Sequence, residues 1–65
     1  MNITINNKPT VTSAQNVKEL LREQKLDGKP IIVERNGQAV SPSNHDSESL
    51  AEGDRVELFM LGAGG

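Results

Sequence analysis

The sequence has no cysteine and only one aromatic residue, Phe59. Without cysteine the chain can form no disulfide bond, no thiolate zinc site and no thiol nucleophile. Any sulfur chemistry must therefore use sulfur that another molecule supplies. With one aromatic ring and a net charge of −2, the chain also lacks the basic surface and the stacking platforms of nucleic-acid-binding proteins. We therefore expect no nucleic-acid partner.

Long hydrophobic segments are missing as well. No apolar run approaches the roughly 20 residues of a membrane-spanning helix, and the N-terminus shows neither the charged nor the apolar region of a secretory signal. These absences predict a cytoplasmic protein with no membrane partner. A length of 65 residues predicts one small domain, with no room for the enclosed pocket of a typical enzyme.

The opening residues alternate between apolar and polar side chains, which is typical of a half-buried strand with Ile3 and Ile5 facing the core. The next two residues, Asn6 and Asn7, tolerate the positive φ angles of a tight turn. A second strand is predicted around residues 9–12. The proline that opens it cannot donate to a sheet ladder, so this strand should start there or lie at an edge.

A short amphipathic helix is predicted next. Asn16 can accept a hydrogen bond at the helix N-terminus and Glu19 follows three residues later, a spacing that resembles a capping box. The residues that recur at helical spacing on one face are Val17, Leu20 and Leu21. Stop signals at Asp27-Gly28 and Pro30 predict a helix of two to three turns.

A second hairpin is predicted after the helix. Residues 31–35 are rich in β-branched side chains and favour an inner strand, and Asn36-Gly37 is a strong turn signal that leads into residues 38–40.

Residues 41–49 are polar and rich in serine, which predicts a surface loop. His45, the one histidine, has no partner at metal-ligand spacing, so we expect a solvated residue and no metal site. Leu50 is expected to return to the core.

A turn at residues 52–54 precedes a final predicted strand over residues 55–61, in which apolar side chains occupy both faces of the second half. On one face, Val56, Leu58 and Met60 are expected to pack against the helix. Phe59 and Leu61 would remain on the uncovered face, where they suggest a partner-docking surface. The alternative is that they are ordinary exposed apolar residues of a small protein.

This order of elements predicts an α+β fold of the β-grasp type, a mixed sheet of about five strands packed on one main helix. The domain would span residues 1–61. Residues 62–65 would form a flexible glycine-rich tail, because glycine costs the most backbone entropy to order and buries no side chain in return. Such a tail is more suited to insertion into a partner than to packing, although a frayed terminus is the simpler alternative.

Several segments in this order resemble the ThiS family of ubiquitin-like sulfur carriers in thiamine biosynthesis. Besides the opening hairpin they are Asn16-Val17-Lys18-Glu19-Leu20-Leu21, Val33-Glu34-Arg35-Asn36-Gly37, Glu52-Gly53-Asp54-Arg55-Val56-Glu57 and the terminal Gly64-Gly65. The resemblance covers nearly the whole chain.

The resemblance implies that the chain is a carrier and not an enzyme. A ThiF-like adenylyltransferase of the E1 type would use ATP to adenylate the carboxylate of Gly65. Sulfur from a donor such as a cysteine desulfurase would convert it to a thiocarboxylate, which a ThiG-like thiazole synthase would use to build the thiazole of thiamine. Gly62, Ala63 and Gly64 would thread into these active sites. The carrier itself would bind no cofactor.

Three alternatives remain open at this stage. A MoaD-like small subunit of molybdopterin synthase uses the same diglycine chemistry for a pterin precursor. A ubiquitin-like modifier would instead carry its diglycine into an isopeptide bond with lysine. A plain interaction module would keep its terminal carboxylate unchanged.

Overall fold

A mixed β-sheet with a helix on one face forms the fold in the computed structural model, which describes residues 1–62. The elements in chain order are β1 (Asn2–Ile5), β2 (Lys8–Val11), α1 (Val17–Glu23), β3 (Ile31–Arg35), β4 (Gln38–Val40), a 3-10 turn (Pro42–Asn44) and β5 (Arg55–Met60). The five strands lie in the order β2-β1-β5-β3-β4. The predicted β-grasp architecture is therefore confirmed.

Strand β5 lies at the centre of the sheet although it is the last to be synthesised. It runs parallel to β1, with Val56 opposite Ile5, and antiparallel to β3, with Leu58 opposite Val33. Each hairpin thus contributes one inner strand and one edge strand. Pro9 lies in the edge strand β2, as the sequence predicts, because an edge strand can lose one amide donor without breaking a ladder.

The two hairpin turns also hold the central strand. All four turn residues have positive φ angles, at Asn6 (49°), Asn7 (68°), Asn36 (52°) and Gly37 (83°). Two of the asparagine side chains accept backbone N–H groups of β5: Asn6 Oδ1 from Leu58 at 2.9 Å and Asn36 Oδ1 from Arg55 at 2.9 Å. Asparagine therefore serves both the turn and the pairing of β5, which glycine could not do.

Helix α1 begins as predicted, with the Glu19 N–H donating to Asn16 Oδ1 at 2.8 Å. The carboxylate of Glu19 accepts from the Gln15 N–H at 2.8 Å, one residue earlier than in a standard capping box. Two backbone carbonyls of the loop over residues 41–49 accept hydrogen bonds from further N–H groups of the first turn of α1. These bonds run from Val17 to Glu48 at 3.1 Å and from Lys18 to His45 at 2.9 Å.

The helix has seven residues, about two turns, which confirms the predicted length, and it ends before the predicted stop signals. Lys25 has a φ of 60°, its N–H donates to the Arg22 carbonyl at 3.0 Å, and the Leu26 N–H donates to the Leu21 carbonyl at 2.8 Å. This pair of bonds is a Schellman motif, in which the left-handed position is usually glycine. Here a lysine occupies it, so the sequence around Asp27-Gly28 does not mark the helix end.

Among residues 1–62, eleven buried hydrophobic residues form the core between the sheet and α1. The side chains with no more than 2% exposure include Val17, Leu20, Val33 and Val56. Burial of each such side chain contributes about 1.5–3 kcal/mol relative to exposure. Ile3, Ile5, Leu21 and Leu50 are also buried, which confirms the core faces predicted for the first strand, the helix and the isolated leucine.

The expected packing of Met60 against the helix is wrong. Its neighbours on the same face behave as predicted, since Val56 is fully buried and Leu58 packs against the core, but Met60 is 39% exposed. A helix of seven residues is about 10 Å long, whereas a strand of six residues spans about 20 Å. The helix is therefore too short to cover the whole strand.

The loop over residues 41–49 is more ordered than expected. It contains the 3-10 turn, and Ser49 forms an isolated bridge with Asn16. His45 is half-buried, and its Nε2 atom is shielded from solvent with no hydrogen-bond partner among residues 1–62. The prediction of a solvated histidine is therefore wrong, because the loop folds back onto the start of α1.

A buried carboxylate joins the turn before β5 to the second hairpin. Asp54 is 5% exposed, and its oxygens accept from Arg35 Nε at 2.7 Å, Asn36 Nδ2 at 3.0 Å and the Ala51 N–H at 2.8 Å. Burial raises the pKa of Asp54, but the hydrogen bonds from Arg35, Asn36 and Ala51 outweigh it and hold the pKa below the usual 3.8. Arg35 also forms an ion pair with Glu48 at 3.2 Å.

Replacing Lys25 with glycine should stabilise the protein. The left-handed conformation costs a residue with a Cβ roughly 1–2 kcal/mol, and part of this gain is offset by the greater freedom of glycine in the unfolded chain. We expect Lys25→Gly to raise the free energy of unfolding by about 0.5–1 kcal/mol in urea titrations. Lys25→Ala is the control for the loss of charge, and an equal gain in both variants would contradict the conformational explanation.

Replacing Asp54 with asparagine should destabilise the protein in a pH-dependent way. At pH 7 we expect a loss of about 2–4 kcal/mol, because charged hydrogen bonds to a buried group are removed. The pKa of the Asp54 carboxyl is lower in the folded chain than the 3.8 of the unfolded chain. Its ionised form therefore stabilises the fold above the unfolded-state pKa, and this stability is lost as the pH falls through the folded-state pKa. The difference between wild type and Asp54→Asn should therefore shrink below about pH 4.

The control for this experiment is Asp46→Asn, since Asp46 is exposed. Some acid sensitivity will persist in both variants, because the Thr12 hydroxyl donates to Glu23 and lowers the pKa of that carboxyl too. Urea titrations spanning about pH 2–8 measure the free energy of unfolding of each protein. If Asp54→Asn and wild type differ as much at about pH 2.5 as at about pH 7, the role assigned to Asp54 is contradicted.

Candidate functional site

The chain leaves the sheet at the end of its central strand. Just beyond β5, the Leu61 N–H donates to the Pro30 carbonyl at 2.8 Å, which ties the exit point to the start of β3. Gly62 follows with a φ of 67°, a left-handed conformation that suits glycine. The predicted threading residues Ala63 and Gly64 and the predicted modification site Gly65 lie outside the described residues.

The two predicted docking residues lie at this end of β5. Phe59 is 46% exposed and Leu61 is 54% exposed. Phe59 points to the sheet face opposite the helix, where it is directly across from Ile32 on β3, which is 39% exposed. We call Phe59 and Ile32 the apolar pair. Strand β5 ends at Met60, so Leu61 lies one residue outside the strand instead of on its open face as predicted, and it lines a groove that also borders α1.

Two open grooves meet at Leu61. One, of about 530 Å³, lies between α1, the segment that precedes β3 and the 3-10 turn. The other, of about 420 Å³, lies along β3 and β4. Both are lined by Leu61, Ile31 and Pro42, so the point where the tail leaves the domain is bordered by apolar side chains on both sides.

The open face of the sheet also carries two acidic side chains. Glu34 on β3 lies directly opposite Glu57 on β5, and both are half-buried. We call them the acidic pair. They lie two residues along each strand from the apolar pair, so the four side chains form one continuous patch. Ala39 on β4 lies next to Glu34.

Other polar residues do not assemble into a site of their own. Within residues 1–62, no three side chains of the metal-ligating types come together. Asp27 and Asp46 are exposed, whereas Asp54 is engaged with Arg35. In the same part of the chain, no helix has the length and apolar character needed to cross a membrane.

Sequence reasoning missed three residues of the open-face patch, namely Ile32, Glu34 and Glu57. Ile32 stands between two buried residues of a continuous apolar run, so its exposure cannot be read from hydropathy alone. The patch could have been predicted from the pairing of β3 with β5. If β3 is paired antiparallel with β5, alternation places Ile32 beside Phe59 and Glu34 beside Glu57.

Comparison with known proteins agrees with this geometry. The model of the ThiS family matches residues 2–65. A crystal structure of the thiamine biosynthesis protein ThiS from Geobacter metallireducens is 33% identical, with 100% of each chain covered and a TM-score of 0.84. A solution structure of a thiamine biosynthesis protein from the same organism, determined for the same structural-genomics target, is 40% identical over 95% of this chain and 87% of that one, with a TM-score of 0.76.

No curated protein matches the chain. The family match nevertheless spans almost the whole sequence, and the first of the two solved structures superimposes over its full length. Both the fold and the family expected from the sequence are therefore confirmed, and the family supports a role as a sulfur carrier. The chain belongs to the ThiS family.

Proposed function

We propose that the chain carries sulfur as a C-terminal thiocarboxylate on Gly65 and donates it to the thiazole moiety of thiamine. The observation that carries this proposal is the family match, which extends through Gly65. The similar protein of known structure is named as a thiamine biosynthesis protein, which favours thiazole formation over delivery to a pterin.

The chemistry needs an activated carboxylate, because a carboxylate is a poor electrophile. In the proposed first step, an oxygen of the Gly65 carboxylate attacks the α-phosphorus of ATP and pyrophosphate leaves. In the second, a sulfur nucleophile from the donor attacks the acyl carbon and AMP leaves. With a persulfide donor the product is an acyl disulfide. A second thiolate then attacks the donor sulfur and breaks the S–S bond, which releases the thiocarboxylate and leaves a disulfide on the donor. A ThiF-like adenylyltransferase of the E1 type would bind ATP and catalyse the adenylation, so the chain acts as a co-substrate and not as an enzyme.

The geometry of the described residues supports this role. At its last residues β5 is paired with β3, where Phe59 lies opposite Ile32 and Met60 opposite Ile31, and the Leu61 N–H donates to the Pro30 carbonyl. These bonds fix the point from which the tail departs relative to the open face. Beyond Leu61 the remaining residues carry no side chain larger than a methyl group, and backbone without bulky side chains can approach a bound nucleotide closely. An exposed apolar surface beside the exit can hold a partner while the tail reaches its active site.

The proposed partners follow from this chemistry. They are the ThiF-like adenylyltransferase, a ThiG-like thiazole synthase and a sulfur donor such as a cysteine desulfurase, all acting in the cytoplasm. The docking surface for the first of them would comprise Phe59 and Leu61 together with Ile32, because these exposed side chains flank the tail exit.

Mass spectrometry of the intact chain tests the terminal chemistry. After incubation with the adenylyltransferase of its own organism, ATP and a sulfur source, we expect a mass increase equal to the replacement of one oxygen by sulfur. Deletion of Gly65 should abolish it, and Gly64→Val should block it because the added side chain obstructs the approach of the backbone. Thermal unfolding should be unchanged in Gly64→Val. An unmodified wild-type chain with an enzyme proven active would refute the proposal.

A variant of the docking surface tests the role of Phe59. We expect Phe59→Ala to lower kcat/KM for adenylation by roughly tenfold or more, because central aromatic contacts contribute about 1–2 kcal/mol or more at interfaces. Val11→Ala is the matched control, since Val11 is an apolar residue of the edge strand β2 and is 81% exposed. Equal effects of the two substitutions would mean that Phe59 is an ordinary exposed residue.

A further inference from the structure

Repulsion between the two carboxylates of the acidic pair lowers the stability of the folded chain. Glu34 and Glu57 are directly opposite each other on adjacent antiparallel strands, a position in which Cβ atoms are typically about 4.5–5.5 Å apart. Like charges at this spacing repel each other, and both side chains are half-buried, which reduces screening by water. The fold therefore holds two negative charges together on its open face without an evident structural benefit.

The chain does not neutralise this charge itself. Within residues 1–62 both ion pairs are made by Arg35, which lies on the other face and binds Asp54 and Glu48. Arg55 shares the open face with Glu57 by strand alternation, but its guanidinium extends the other way. Its Nη2 lies 3.7 Å from the position that a Cβ on Gly37 would occupy, beside the hairpin turn. Arg55 is the nearest cationic residue on the same strand, and it forms no ion pair with Glu34 or Glu57.

The neighbouring apolar pair limits the kind of partner that could bind to the acidic pair. Ile32 and Phe59 lie two residues along the strands from Glu34 and Glu57, about 7 Å away on the same face. A hydrated metal ion would leave the apolar pair uncovered. A protein surface that offers an apolar side chain and a cation about 7 Å apart would cover both pairs at once. Arginine suits this position better than lysine, because its planar fork can donate to two carboxylates together.

We infer that the patch formed by the acidic and apolar pairs is a recognition site for a protein that inserts an arginine between Glu34 and Glu57 and seats an apolar side chain on Ile32 and Phe59. The inference rests on the proposed function for the identity of that protein, which is the ThiF-like adenylyltransferase. The acidic pair provides specificity for this partner, because a surface with acidic residues at the same position would be repelled.

The experiment measures binding of the full chain to the adenylyltransferase of its own organism by calorimetry, without ATP, so that affinity is separated from modification. The test variant is Glu34→Gln/Glu57→Gln, which keeps the shape of both side chains. The control is Glu23→Gln/Glu52→Gln, which makes the same substitution at two exposed residues that line neither groove. We expect the test variant to bind about tenfold or more weakly and the control to bind within about twofold of wild type.

Two further readouts separate this role from a structural one. The test variant should unfold at the same temperature as wild type or up to about 6 °C higher, because repulsion is relieved. Its affinity should also depend less on salt between 50 and 500 mM NaCl than that of wild type, roughly as expected when charge pairs are removed from an interface. A lower unfolding temperature would show that the carboxylates act in folding and would overturn the inference.

The outcomes distinguish the inference from the proposed function. If wild type gains sulfur but the test variant binds as tightly as wild type, the recognition site is refuted and the carrier function stands. If wild type does not bind the enzyme at all, the recognition site is refuted whether or not a thiocarboxylate forms. If binding depends on the acidic pair but no sulfur is gained, the recognition site stands and the carrier function fails.

Discussion

The buried carboxylate of Asp54 determines where the central strand begins, and the rest of the sheet depends on that position. The Asp54 side chain binds Arg35 and Asn36 of the second hairpin and closes the turn through the amide of Ala51. In the next residue, the Arg55 N–H donates to Asn36. A shift of β5 by one residue would break these bonds and turn its core side chains to the solvent, since side chains alternate with a period of two. A buried charge thus sets the register of a strand that has neighbours on both sides.

The same strand organises the proposed docking surface. Because β5 is central, its inward side chains complete the core, its outward side chains form the open-face patch with β3, and its end delivers the tail beside Leu61. The proposed docking surface and the tail are therefore joined by one strand. An arrangement of this kind suits a carrier that has to be held by a partner while its last residues enter an active site, because it limits the entropy lost on binding.

Much of the fold could be predicted because its signals are local. Asn6-Asn7 and Asn36-Gly37 indicate turns, Asn16 with Glu19 indicates a helix start, and alternation separates Ile3 and Ile5 from their polar neighbours. The failures at Met60 and His45 depend on segments that are distant in sequence. Met60 is exposed because the helix is too short to cover it, and His45 is half-buried because its loop folds onto the helix. The helix end was missed for a local reason, since a lysine occupies the left-handed position of the Schellman motif that is usually glycine.

The sequence alone determined the set of strands and the helix, the family, and the chemistry that the tail can support, since each depends on residue types and their spacing along the chain. The tertiary structure decided which strands are neighbours, and with that the composition of the open face. Ile32 and Phe59 are far apart in sequence, as are Glu34 and Glu57, and they meet only because β3 pairs with β5 in one register. Strand pairing is a non-local choice made by the whole core, so no short segment of the sequence encodes the patch.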